Sequence, residues 1–154
     1  MKTVKFLAAL ILVGLFAITI NSCEKYDEGG FVSKTEKRLT AHTWKLSLYL
    51  RNGNDETTAL YIKNYEENYS DEGGGSYSRS YNDKNGDLKS ETGTWAFEKD
   101  EKKLKISGVG SMEITDLTGT VSSSYYNILK LDEDEYWYYF ENGGDKQEFH
   151  FVTK

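Results

Sequence analysis

Proline is absent from the 154 residues, cysteine occurs once, and methionine and histidine occur twice each. One thiol cannot form an internal disulfide, and with only two histidines beside it the chain offers a poor set of zinc ligands. No serine or cysteine sits in a recognisable nucleophile motif, so acyl transfer has no visible carrier. His150 alternates with Phe149 and Phe151 and so points away from them, whereas His42 shares parity with Trp44. The two imidazoles therefore do not converge, and the chain reads as a non-enzyme without cofactor or metal. Basic clusters are missing as well. With 25 acidic against 19 basic residues the surface repels phosphate, which excludes a nucleic-acid partner.

What is present begins at the N terminus. "MKTVK" carries two lysines, and the fifteen residues from Phe6 to Ile20 carry no charge. This is the pattern of a secretory signal peptide, residues 1–22, and the run is short of the roughly 20 apolar residues of a spanning helix. "INSC", ending at Cys23, resembles a bacterial lipobox. The resemblance implies cleavage before Cys23, a diacylglycerol on its thiol and a further acyl chain, such as palmitate, on the new amino terminus. Each buried methylene contributes about 0.8 kcal/mol, so several chains hold a protein on a membrane where one does so only marginally. The following "EKYDEGG" resembles the acidic export signal of surface lipoproteins of Bacteroidota. It implies a lipid-anchored outer-membrane protein, displayed at the cell surface in preference to the periplasmic face.

Cleavage removes two of the 19 basic residues and none of the 25 acids, moving the formal charge from −6 to −8. The 132 residues that remain suit one domain with one core. Residues 23–38, the acylated cysteine and "EKYDEGGFVSKTEKR", show no sustained period and read as a flexible tether. The domain is expected over 39–154. All twelve tyrosines lie downstream of the signal, which leans the composition toward β structure.

Turn signals punctuate that domain: "RNGND" at 51–55, "SDEGGG" at 70–75, "NDKNGD" at 82–87, "KDEKK" at 99–103, "LDEDE" at 131–135 and "ENGGD" at 141–145. Asn-Gly tolerates the positive φ of tight hairpin turns. Between the turns apolar residues alternate with period two, as in half-buried strands. In "WKLSLYL", Trp44, Leu46, Leu48 and Leu50 share one face and Tyr49 the other. Trp95 with Phe97, Leu104 with Ile106, and Phe149 with Phe151 make similar inward pairs. Further strands fit "ALYIKNYEENY", "SYSRSY", "SMEITDL", "YNILKL" and "YWYYF". The expected fold is all-β, an antiparallel up-and-down meander of eight or nine strands closing into a barrel.

The lipobox, "LTAHTWKLSLYL", the central "GTWAFEKDEKKLKIS" and the closing aromatic hairpin together resemble the lipocalin-like domain of small Bacteroidota lipoproteins, over residues 39–154. True lipocalins carry Gly-x-Trp on the first strand, where this chain has His42, and an arginine from the last strand over that tryptophan. Here Lys154 is the cation expected near Trp44. The resemblance implies a binding or accessory module for a small apolar molecule.

Trp44, Trp95, Phe97, Phe149 and Phe151 are the expected structural core, and so many large rings favour a mostly filled interior over an open apolar cavity. In "YWYYF", inward Tyr136, Tyr138 and Phe140 leave Trp137 and Tyr139 outside. These two rings are candidates for stacking on a glycan or anchoring a protein partner, unless they pack beneath a neighbouring segment. "NDKNGD" spaces Asp83, Asn85 and Asp87 as calcium ligands are spaced. A calcium loop counted from Asp83 would need glycine where Leu88 stands and a bidentate acid where Thr94 stands, so a hairpin turn is expected instead.

Overall fold

The computed structural model describes residues 34–154 apart from 71–74, 99, 116–118 and 122–123. The signal segment 1–22, Cys23 and the tether as far as residue 33 lie outside the described residues. Helix α1 (Lys34–Thr40) is followed by β1 (Thr43–Arg51), β2 (Asn54–Asp55), a 3-10 turn at Thr57–Ala59, β3 (Lys63–Ser70) and β4 (Ser76–Asn82). Then come β5 (Leu88–Glu98), β6 (Lys103–Ser107), β7 (Met112–Thr115), β8 (Gly119–Val121), β9 (Tyr125–Leu131), β10 (Glu135–Asn142) and β11 (Asp145–Thr153).

Strand order in the main sheet is β11-β10-β9-β6-β5-β4-β3-β1-β2, and β11 also pairs with β1. That last pairing runs antiparallel from Trp44↔Thr153 to Arg51↔Gln147 and closes eight strands into a barrel, with β2 as an extra strand on β1. Closure leaves the ring no free edge along which another chain could pair. Alternation decides which side chains fill it. β4 buries Tyr77, Arg79 and Tyr81, β10 buries Tyr136, Tyr138 and Phe140, and β11 buries Gln147, Phe149 and Phe151. At the β1–β2 turn Asn52 and Gly53 both have positive φ, 51° and 82°, the geometry for which Asn-Gly is suited.

Four sequence expectations need correction. The alternation across β1 breaks at a bulge between Leu46 and Leu48, which turns Tyr49 into the core while Leu48 and Leu50 stay half-buried. A bulge adds one residue to a strand, so the inward parity changes beyond it. "SMEITDL" is not a barrel strand. It supplies β7, which pairs with β8 in a separate two-stranded sheet, while β6 pairs directly with β9. The strand expected over "ALYIKNYEENY" starts only at Lys63, after the 3-10 turn.

The last correction concerns the tether, since Lys34–Arg38 belong to α1. That helix seats Leu39 fully buried in the core, and the Leu39 carbonyl accepts a 2.9 Å hydrogen bond from Trp44 Nε1. The side chain of Lys154 binds Glu66 Oε2 at 3.0 Å. His42 is exposed and meets the Trp44 ring edge-on.

Candidate ligand-binding site

Three charged residues follow one another across the barrel wall. Glu67 on β3 faces Arg79 on β4, which faces Glu91 on β5. Glu67 and Arg79 are almost wholly buried, at 1% and 4% exposure. A buried charge needs a partner of opposite sign or a full set of hydrogen bonds: Arg79 has the first in Glu91, and Glu67 has the second. Glu67 Oε1 accepts from the hydroxyls of Tyr65 (2.6 Å), Tyr138 (2.9 Å) and Tyr77 (3.1 Å), and its Oε2 accepts from Tyr69 (2.5 Å). Burial drives the Glu67 pKa above the ordinary carboxylate range, against the downward pull of the four tyrosines. Burial first, and then the charge of Glu67, holds these four phenols well above their ordinary value, so they remain donors.

Arg79 Nη2 donates to Glu91 Oε2 at 2.8 Å and to the Gly110 carbonyl at 2.7 Å. The Gly110 amide in turn donates to Glu91 Oε2 at 2.8 Å. This clamp fixes the segment that leaves the barrel after β6 and carries β7. Met112 and Ile114 from that segment are buried in the core, and the Tyr61 amide donates to the Ile114 carbonyl at 2.8 Å. The excursion thus covers one part of the barrel interior.

Beneath it lies a cavity of about 80 Å³. Tyr65, Arg79, Ile106, Tyr126, Tyr138, Phe140 and Phe149 line it from the barrel, and residues 107–110, Met112, Ile114 and Ser124 from the covering side. Drug-sized ligands occupy pockets of about 300 to 1,000 Å³, so most of this interior is filled by side chains. The rings stack on one another: Tyr126 against Tyr138 at 4.7 Å, Tyr138 against Phe149 at 5.3 Å and Phe140 against Phe149 at 5.7 Å between centroids.

Of the residues singled out in the sequence, Trp44, Trp95, Phe149 and Phe151 are buried and Phe97 is half-buried, packed edge-on against Trp95. Trp95 Nε1 donates to the Ser70 carbonyl at 2.9 Å. Trp137 and Tyr139 lie on the outer face, half-buried. Trp137 stacks on His150 of β11 at 4.0 Å with an interplanar angle of 3°, and Lys130 of β9 lies over its ring at 4.8 Å. Lys146 lies over Tyr139 at 4.6 Å. His150 Nε2 is 2.6 Å from Glu148 Oε1, but the nearby Ser47 hydroxyl donates to the His150 backbone carbonyl, not to its ring. Those three side chains therefore form no nucleophile relay. The "NDKNGD" segment is a turn in which Asp83 Oδ1 accepts from the amides of Asn85 and Asp87 at 2.9 and 3.0 Å. Among the described residues no group of three His, Cys, Asp or Glu is placed to hold a metal ion.

Glu67 and Arg79 escaped the sequence reading, although a signal was there. "YEENY" and "YSRSY" put each charge at the same parity as two tyrosines. A charge in phase with inward aromatic residues marks a candidate for burial.

No family model matches the chain, and neither does any curated protein. Among solved structures it is similar to Japanin from Rhipicephalus appendiculatus bound to cholesterol, with 12% identity and a TM-score of 0.53 over 75% of this chain and 76% of that one. It is also similar to a lipocalin-like protein from Bacteroides uniformis, with 16% identity and a TM-score of 0.49 over 76% of this chain and 99% of that one. At 12% identity the likeness to Japanin is one of fold. The chain has a lipocalin-like barrel, closed by eight antiparallel strands.

Proposed function

We propose that this chain is a lipid-anchored outer-membrane lipoprotein whose barrel is a non-catalytic binding module for a small molecule with an apolar part. The observation that carries the binding half is the cavity between the barrel interior and the clamped excursion after β6. Japanin, of the same fold, is bound to cholesterol. The ligand of this chain is much smaller than a sterol, because the cavity measures only about 80 Å³. Glycan or protein recognition by Trp137 is the less favoured reading, since His150 and Lys130 take up its ring from the two flanking strands.

Native mass spectrometry on gently purified protein tests the binding half. A non-covalent small molecule on the parent, lost from a Met112→Trp variant that still folds, is the expected result. Its absence from both removes the reading. The anchoring half rests on the signal, the lipobox and the solitary Cys23. Cys23→Ala is expected to abolish labelling by radioactive palmitate and to release the chain from the membrane fraction. Undiminished labelling would show the anchor to be elsewhere.

A further inference from the structure

The polar side chains that line the cavity carry a chemical preference. Arg79 lines it, and the Arg79 Nε is buried with no hydrogen-bond partner although Nη2 has two. The carboxylates in its row have no comparable surplus. Glu67 Oε1 already accepts from three tyrosines and Oε2 from a fourth. Glu91 Oε2 accepts from Arg79 and the Gly110 amide, and its Oε1 from Tyr81. The row therefore has a donor to spare, and an unmade hydrogen bond at a buried donor is costly. A ligand that brings an acceptor removes that cost, whereas one that brings only donors does not. The same lining includes Ile106, Met112, Ile114, Phe140 and Phe149, which suit a hydrocarbon portion. Benzene, with six carbon atoms, occupies an apolar cavity of about 150 Å³, so in proportion the space here suits about three or four non-hydrogen atoms.

We propose that the cavity is a subsite for a short carbonyl compound, a carboxylate, amide or ketone, whose oxygen accepts from the Arg79 guanidinium while its carbon chain rests against Met112 and Ile114. This rests on the cavity reading above and adds the chemical class of the occupant. A guanidinium is a strong donor to such oxygens because its charge assists the hydrogen bond, and its rigid fork fixes the direction of approach.

Met112 supplies the reporter, since Met1 is the only other methionine in the chain. The full chain in detergent, methyl-labelled at methionine, would be titrated with acetate, propionate, acetamide and acetone, and separately pressurised with xenon. At least one carbonyl probe is expected to give a saturable shift of the Met112 methyl resonance, together with a shift of the Arg79 Nε–Hε resonance in the unmutated protein. Arg79→Gln is expected to weaken that binding at least tenfold, and Arg79→Lys to restore part of it. If neither variant folds, the Nε–Hε response of the parent decides, and a Met112 shift without it overturns the assignment to Arg79. Xenon that shifts Met112 while all four carbonyl probes leave it unmoved overturns the proposal but keeps the cavity as an apolar site. No response to any probe overturns both.

Discussion

The Tyr138 hydroxyl donates to Glu67 Oε1 at 2.9 Å and so ties β10 to β3, two strands that are not neighbours in the barrel. A filled barrel of stacked rings tolerates many sliding rearrangements, but a carboxylate held by four directional donors does not. Hydrogen bonds to a charged group contribute about 1.5 to 3 kcal/mol each. Tyr138→Phe keeps the ring and removes one of four donors, so a loss within that range is expected in urea unfolding. A variant as stable as the parent would mean that the other three tyrosines absorb the charge unaided.

Glu67 also makes stability depend on pH in a direction opposite to most carboxylates. Its folded pKa lies above the ordinary 4.5 because burial opposes ionisation. Between those two values the folded chain holds a proton that the unfolded chain has released, so the contribution of Glu67 to stability falls as pH rises through that window. Each unit between the two values is worth about 1.4 kcal/mol. Glu67→Gln removes the titration and is expected to gain on the parent in melting temperature as pH rises from the ordinary value upward. Parallel melting curves for the two proteins across that range would contradict the raised pKa. Glu91 and Glu148, whose pKa values are lowered despite partial burial, work in the usual direction and are common to both proteins.

The barrel was legible because its signals are local. Period two within each strand and Asn-Gly at the turns specify hairpins without knowledge of their partners, and closure follows from one further pairing, β1 with β11. The bulge in β1 was not legible, since "WKLSLYL" alternates without a break and only the pairing with β11 shows that Leu46 faces Phe151 while Leu48 faces His150. The role of β7 was hidden for a similar reason. "SMEITDL" alternates as well as any barrel strand, and its departure depends on β9 taking the place beside β6. The cavity lies between that excursion and the barrel, so alternation within single strands could not show where a ligand would lie. The cluster at Glu67 draws on three strands, β3, β4 and β10, which sequence proximity does not relate.

Gly93 is expected to resist any side chain. It lies in β5 beside β6, where a Cβ would stand 2.2 Å from the Ser107 carbonyl oxygen and 3.2 Å from a methyl of Val109. The first of these neighbours is backbone held in the ladder through Thr94↔Ser107, so it cannot simply rotate away. Overpacking of this kind costs about 1 to 3 kcal/mol, and Gly93→Ala should lose that much in thermal or urea unfolding. Gly143→Ala measures a different cost, that of positive φ (61°) without crowding, since nothing lies within 4 Å of its Cβ position, and Gly93 is not among the positive-φ glycines. A Gly93→Ala variant as stable as the parent would mean that the β5–β6 ladder yields to the extra methyl.

Helix α1 is tied to the barrel core through Leu39. Leu39 is fully buried, and its carbonyl is the acceptor for Trp44 Nε1, which is itself in the core. A chain starting at Lys34 keeps both relationships and is expected to unfold at the same urea concentration as the full chain. One starting at Ala41 loses the burial of a leucine, worth about 1.5 to 3 kcal/mol, and leaves a buried indole donor without its partner, worth about 1 to 3 kcal/mol. The two losses share Trp44 as a contact and so need not add. The shorter chain should therefore unfold at a clearly lower urea concentration, with tryptophan emission shifted to the red as water reaches Trp44. A Leu39→Ala variant in the chain starting at Lys34 separates the causes, because it removes the side chain but keeps the carbonyl. If the chain starting at Ala41 proves as stable as the one starting at Lys34, the helix is dispensable, and the barrel folds from β1 onward without it.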